Sequence, residues 1–193
     1  PQVTECWNTE GTNADVCANS LYTVPPLCDP DRNARATAFA SRVWVEHARA
    51  GVSKYFVYTM HNTDTMMYNG GYQSLLIGYD RTPTPAAVAT AVTAYCIDGL
   101  RFLQCPGSDG VVQAAFGGDG RAAWVVYDDA GVMGRRRLNL AALPEGVGAL
   151  DVMGNDPRSD GTTEWEIGMN PLFVLSQSLD AQALAEVCAR LIE

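Results

Sequence analysis

The chain has 193 residues, of which 47% are hydrophobic, and a formal net charge of −9. That length allows one large domain or two small ones, and the hydrophobic share is enough for a packed core. The acidic balance argues against nucleic acid as a partner, because phosphate recognition needs a basic face. The lack of any run of about 18 apolar residues predicts no membrane span.

The one basic cluster, Arg135-Arg136-Arg137, lies in a strand-like run that points its members to alternate faces, so it reads as surface charge. Six cysteines are present: Cys6, Cys17, Cys28, Cys96, Cys105 and Cys188. None forms a Cys-x-x-Cys pair, which disfavours zinc and redox chemistry. Cys17 with Cys28 and Cys96 with Cys105 are candidate bridges, and such bridges favour an oxidising compartment and a secreted or extracytoplasmic protein. The competing reading makes Cys6, Cys96 and Cys188 small buried hydrophobes. A start at Pro1 rather than Met suggests a processed chain or a fragment.

Residues 1–10 read as an apolar strand, and residues 11–31 as a polar segment with Pro25-Pro26 and two cysteines. A helix is expected over 32–50, with Ala36, Phe39, Ala40, Val43 and His47 on one stripe, Asp31 as its cap and Gly51 as its stop. Residues 53–60 form a near-continuous apolar run, which suits a parallel strand buried on both faces. A long connection over 61–82 leads to Pro83-Thr84-Pro85. These open a second helix, 86–98, with Val88, Val92, Tyr95 and Cys96 on its stripe.

After Gly99 the period changes. Strands are expected at Val111–Phe116, Ala122–Tyr127, Val132–Leu140, Ala149–Met153, Glu164–Met169 and Leu172–Leu175, separated by Gly/Asp turns. A closing helix, 179–192, carries Leu184, Val187, Cys188 and Leu191 on one face. The expected organisation is a βαβα segment over 1–97 and a small antiparallel β-domain over 98–193.

The residues with most chemical content are Trp7-Asn8-Thr9-Glu10-Gly11. A Glu at the end of a strand, followed by Gly and a polar segment, is how a parallel α/β barrel presents a catalytic carboxylate. Retaining glycoside cleavage needs two carboxyl groups about 5–5.5 Å apart. Glu5 is a poor partner, since five strand residues place it on the other face and roughly 16 Å away. Read without that chemistry, Glu10 is a solvated carboxylate.

Trp-x-Thr-Glu resembles the seventh barrel strand of the clan A glycoside hydrolases. Further resemblance lies in the strand Tyr55–Met60 one helix later and in Pro83-Thr84-Pro85-Ala86-Ala87. Asp151-Val152-Met153-Gly154-Asn155 and Pro171-Leu172-Phe173-Val174 resemble the appended β-sandwich of family-39-like members. The resemblance implies an α/β plus all-β chain: the last two βα units of a (β/α)8 barrel, followed by an antiparallel β-sandwich. It implies a retaining glycoside hydrolase with Glu10 as nucleophile, a carbohydrate substrate and no cofactor or metal. The family's acid/base Glu lies in an Asn-Glu pair, and no Asn-Glu occurs in this sequence. The acid/base residue, with the N-terminal barrel segment as partner, is therefore expected outside this chain.

For substrate contacts the resemblance points to Trp7 and Asn8, to Tyr58, His61 and Asn62 after the eighth strand, and to Tyr68, with Tyr72 beside it, as a sugar platform. Tyr58 reads equally well as a core residue, and Trp7, three before Glu10, falls by alternation on the opposite face. His47 reads as a packing residue, and Trp44, Trp124 and Trp165 as core. Asp29–Asn33 fails as a calcium loop, because Ala34 and Ala40 hold the required Gly and Glu positions. Asp156–Asp160 reads as a turn with a weak calcium site as its alternative. The rival function is a non-catalytic carbohydrate- or protein-binding β-sandwich module.

Overall fold

The computed structural model describes residues 7–11, 30–57, 83–103, 110–129 and 136–193, with backbone alone at 7–11, 30–33 and 57. The described residues form a mixed α/β structure with a parallel strand pair and an antiparallel sheet. The chain divides into two compact units, 1–90 and 91–193.

In the first unit, β1 (Trp7–Gly11) and β2 (Lys54–Val57) pair in parallel, and α1 (Pro30–Arg49) lies between them in sequence. Parallel strands cannot be joined by a hairpin, so the chain must cross over. Pro30 opens α1, where its missing N–H costs nothing. Asp31 therefore falls inside the first turn instead of capping it. Gly51 closes the helix in the left-handed conformation, at φ 78°. The Val52 N–H donates to His47 O at 2.9 Å and the Gly51 N–H to Ala48 O at 3.1 Å. Those two bonds use up carbonyls that the helix end would otherwise orphan.

The buried residues of α1 are small: Ala36, Thr37, Ala38, Ala40, Ser41 and Val45. Phe39, expected on the core stripe, is 46% exposed. Val43 and His47 are half-buried. The helix thus presents its narrow side chains inward, and apolar bulk misjudged its inner face. His47 packs as expected. Its Nδ1 lies 2.7 Å from Val43 O, and its ring centre lies 4.5 Å from that of Tyr55. Tyr55 also meets Trp44 edge-on at 5.0 Å, and burial pushes its phenol above the ordinary value.

α2 (Pro85–Ile97) runs from the first unit into the second. The Ala87 N–H donates to Thr84 Oγ1 at 3.3 Å, which caps its start. Its buried stripe is Ala86, Ala89, Thr93 and Cys96, whereas Tyr95 is 69% exposed. Here too the inner face belongs to small residues, and Tyr95 leaves the stripe predicted for it.

The second unit is built on five antiparallel strands. They are β3 (Arg101–Leu103), β4 (Val111–Gly118), β5 (Arg121–Asp128), β7 (Val147–Leu150) and β9 (Leu172–Ser176), in the order β3-β4-β5-β9-β7. Short strands β6 (Arg137–Asn139) and β8 (Glu164–Glu166) form a separate ribbon, and α3 (Ala181–Arg190) follows β9. The strand expected over Val132–Leu140 contains β6, and residues 130–135 lie outside the described ones. β7 ends at Leu150, before the predicted Met153, because Asp151 begins a turn. β3 was not anticipated, since three residues are too few to show a period.

Two turns follow directly from sequence. Asp119 and Gly120 both have positive φ, 50° and 73°, and join β4 to β5 across the pair Gly118–Arg121. This is the two-residue hairpin for which Asp-Gly is favoured. In the Asp151–Asn155 turn, Asp151 Oδ1 accepts from the Met153 and Asn155 N–H groups at 2.8 and 2.9 Å. Gly154 sits there at φ 84°, where an added Cβ would come 3.2 Å from Val92.

The main core lies on one face of the sheet. Ala115, Trp124, Val174 and Ala149 form a row across four strands, flanked by Val126 and Leu172. Leu138 from the ribbon and Leu184 and Cys188 from α3 complete it. Gly117 lets α3 approach, since a Cβ there would lie 2.8 Å from that of Ala181. Asp180 Oδ1 accepts from the Ala183 N–H at 2.8 Å and caps α3. On the opposite sheet face Phe116, Ala123, Val125, Tyr127 and Phe173 are buried, while Phe102, Leu175 and Gly148 are half-buried. The segment Leu191–Glu193 then pairs with β6. Cys96 and Cys188 are buried and in no disulfide, so the bridge expected at Cys96 is not made; Cys105 lies outside the described residues. Burial pushes the Cys96 thiol up to about 12.

Replacing Leu184 by Ala removes a fully buried side chain from the centre of this core. The expected cost is about 2–5 kcal/mol of unfolding free energy. Urea unfolding followed by tryptophan fluorescence checks it, and a loss within error of zero contradicts the core described.

Candidate active site

β1 and β2 run in the same direction, so their C-terminal ends lie side by side, with Gly11 paired to Val57. The chain between α1 and β2 is short, residues 50–53. Residues 12–29 and 58–82, which follow the C-terminal ends of the two strands in sequence, lie outside the described residues. In parallel α/β folds, sites are assembled at the C-terminal ends of the strands.

Glu10 stands at that end of β1. The ladder pairs Asn8 with Tyr55 and Gly11 with Val57, which is three residue steps on β1 against two on β2. The register of β1 therefore shifts by one residue between Asn8 and Gly11, a β-bulge or irregularity that spans Thr9-Glu10. The register shift has no clear signal in Trp7–Gly11 itself, because it is defined only against the partner strand.

Of the candidate site residues, Trp7, Asn8 and Glu10 lie in β1, where the backbone alone is described. Asn8 pairs with Tyr55 and sits before the register shift. Tyr58, His61, Asn62, Tyr68 and Tyr72 lie outside the described residues, as do Cys17 and Cys28.

The acidic segment near residue 156 is taken up by its own neighbours. Pro157–Asp160 form a short 3-10 helix capped by Asp156, with Gly161 at φ 87° closing it. Arg158 Nη2 donates to Asp156 Oδ2 at 2.8 Å, Arg158 Nε donates to Oδ1 at 3.1 Å, and Arg158 Nη1 reaches Val147 O at 3.0 Å. Those Arg158 hydrogen bonds hold the Asp156 carboxyl below its usual range. Asp160 Oδ1 accepts from the Thr162 hydroxyl at 2.6 Å, which lowers that carboxyl as well. Among the described residues no group of three His, Cys, Asp or Glu side chains is arranged to hold a metal, and no helix is long and apolar enough to cross a membrane.

No family model matches the sequence, and no curated protein matches it. Solved structures do match. A family 39 glycoside hydrolase from Bacteroides cellulosilyticus superposes with a TM-score of 0.61 over 89% of this chain, at 16% identity. A family 30 subfamily 8 xylanase from Clostridium acetobutylicum superposes with a TM-score of 0.55 over 89% of this chain, at 10% identity. The chain shares its fold with clan A glycoside hydrolases. It spans 34% of the first of those chains and 42% of the second. The resemblance drawn from Trp-x-Thr-Glu and the later motifs thus leads to the same group of proteins as the fold.

The Asp156–Arg158 pair makes a pH prediction. The folded-state carboxyl is lowered, so its contribution is present above the ordinary carboxylate range and is lost as pH falls through the lowered value. Asp156→Asn keeps the cap but loses the charge. It is expected to cost less than about 1 kcal/mol at pH 7, since the pair is partly exposed. The difference from the native chain should vanish in acid. A cost that grows as pH falls contradicts the pairing.

Proposed function

We propose that this chain is the C-terminal part of a retaining glycoside hydrolase of clan A. Residues 1–97 supply the last two βα units of its barrel, and 98–193 form a β-sandwich with a closing helix. The observation that carries the reading is Glu10, at the C-terminal end of a strand paired in parallel with β2. Shared fold with two glycoside hydrolases over most of the chain supports it.

In this reading the ionised Glu10 attacks the anomeric carbon. The glycosidic C–O bond breaks, and an acid/base Glu outside this chain gives its proton to the leaving oxygen. That residue, now a carboxylate, takes a proton from water. The water attacks the anomeric carbon and releases the sugar and Glu10. Trp7, Asn8, Tyr58, His61, Asn62 and Tyr68 are proposed to line the sugar. The N-terminal barrel segment is the partner that completes the site, and the protein works outside the cytoplasm.

A 2-deoxy-2-fluoro glycoside with a good leaving group tests this in the enzyme that includes the N-terminal barrel segment. The expected result is one fluoroglycosyl adduct on the peptide containing Glu10. Glu10→Gln should lower kcat by about 10⁴-fold or more. A label on another carboxylate, or full turnover in Glu10→Gln, sinks the assignment.

A further inference from the structure

The opposite face of the five-stranded sheet ends in an open cleft. One row on that face runs Phe102, Phe116, Ala123, Leu175 and Gly148, strand by strand. Phe102 and Phe116 meet edge-on with ring centres 5.7 Å apart. At Gly148, on the edge strand β7, the row has no side chain, and an added Cβ would meet nothing within 4 Å. The gap is part of a cleft of about 220 Å³ whose walls include Tyr95, Cys96, Arg121 and Gln177.

We propose that this cleft binds one pyranose ring of a neutral glycan, in a different unit from Glu10. Four properties favour that ligand. Tyr95 is 69% exposed on a helix whose other side is a buried stripe, so an aromatic face is offered to solvent at the cleft wall. Such a face stacks on the C–H side of a sugar, combining apolar area with low conformational entropy. Arg121 Nη2 donates to Asp98 O at 3.0 Å, which fixes the guanidinium and leaves further donors for hydroxyls. The exposed Gln177 amide adds a donor and an acceptor. The volume is below the roughly 300–1,000 Å³ of a site for a drug-sized ligand, and matches a single ring.

Other chemistries fit less well. Arg121 is the one cation in the described lining, and the chain carries a net charge of −9, which disfavours an anion site. Cys96 is 2% exposed and its thiol is pushed up to about 12, so it forms an inert wall, not a nucleophile. The proposal rests on the glycoside reading for its class of ligand. It makes the β-domain a second holding point for a polysaccharide, beyond the proposed activity at Glu10.

Amide chemical-shift titration of the 193-residue chain with xylohexaose and with cellohexaose tests it. With at least one of these probes the Gly146, Gly148 and Gln177 amides are expected to shift and saturate. Tyr95→Ala and Gly148→Leu should each weaken that binding about tenfold or more, and Tyr95→Phe should retain it. Both altered positions face open space, and unchanged thermal unfolding confirms folding. Absence of shifts at these amides with either sugar overturns the proposal, as does undiminished binding in Tyr95→Ala. Saturable binding of glucuronate in preference to both neutral probes also overturns it. Glu10→Gln should leave the shifts intact. A failed label at Glu10 with a responsive cleft removes only the nucleophile, and a labelled Glu10 with a silent cleft removes only this site.

Discussion

A strand buried on both faces must be covered twice, and β5 imposes that demand on the second unit. Every residue from Ala122 to Asp128 is buried. Trp124 and Val126 face the core shared with α3 and the β6–β8 ribbon, while Val125 and Tyr127 face the other way. An antiparallel sheet often leaves one face wet, and at β5 neither face is. The cap at Asp180, the close approach at Gly117 and the hairpin at Asp119-Gly120 are what let cover reach the strand. Where the cover stops, at Gly148, the sheet opens into the cleft.

The first unit obeys a related constraint. Parallel strands force a crossover, and the crossover puts both strand C-termini at one end. The short 50–53 link between α1 and β2 follows that polarity. Glu10 gains its meaning from the same geometry. It stands at the C-terminal end of β1, where the register against β2 shifts between Asn8 and Gly11.

Much of the second unit was legible because its punctuation is chemical. Asp-Gly demands positive φ at both turn residues, and Asp-x-x-Gly-Asn supplies its own hydrogen-bond acceptors. Strands between such signals fell close to their expected places. The helices were legible as helices, through Pro85 and Gly51, but their inner faces were not. Ranking residues by apolar bulk put Phe39 and Tyr95 inside, whereas both lie largely in solvent. Alanine, serine and threonine fill the buried faces because a helix packed closely has no room for larger groups. The strand Arg101–Leu103 has no period to read at three residues.

The sequence alone determined the alternation of strand and helix before Gly99, the change to antiparallel strands after it, the turn positions, and Glu10 as the carboxylate to examine. These are local matters of backbone preference and hydrogen-bond chemistry within a few residues. Tertiary structure decided which helix faces are buried, that β5 is covered on both sides, that β1 shifts register between Asn8 and Gly11, and that Tyr95, Arg121, Gly148 and Gln177 share one cleft. Each of these depends on a partner far away in sequence. A register shift exists only against Lys54–Val57, and a cleft exists only where a second strand and a helix end meet an absent side chain.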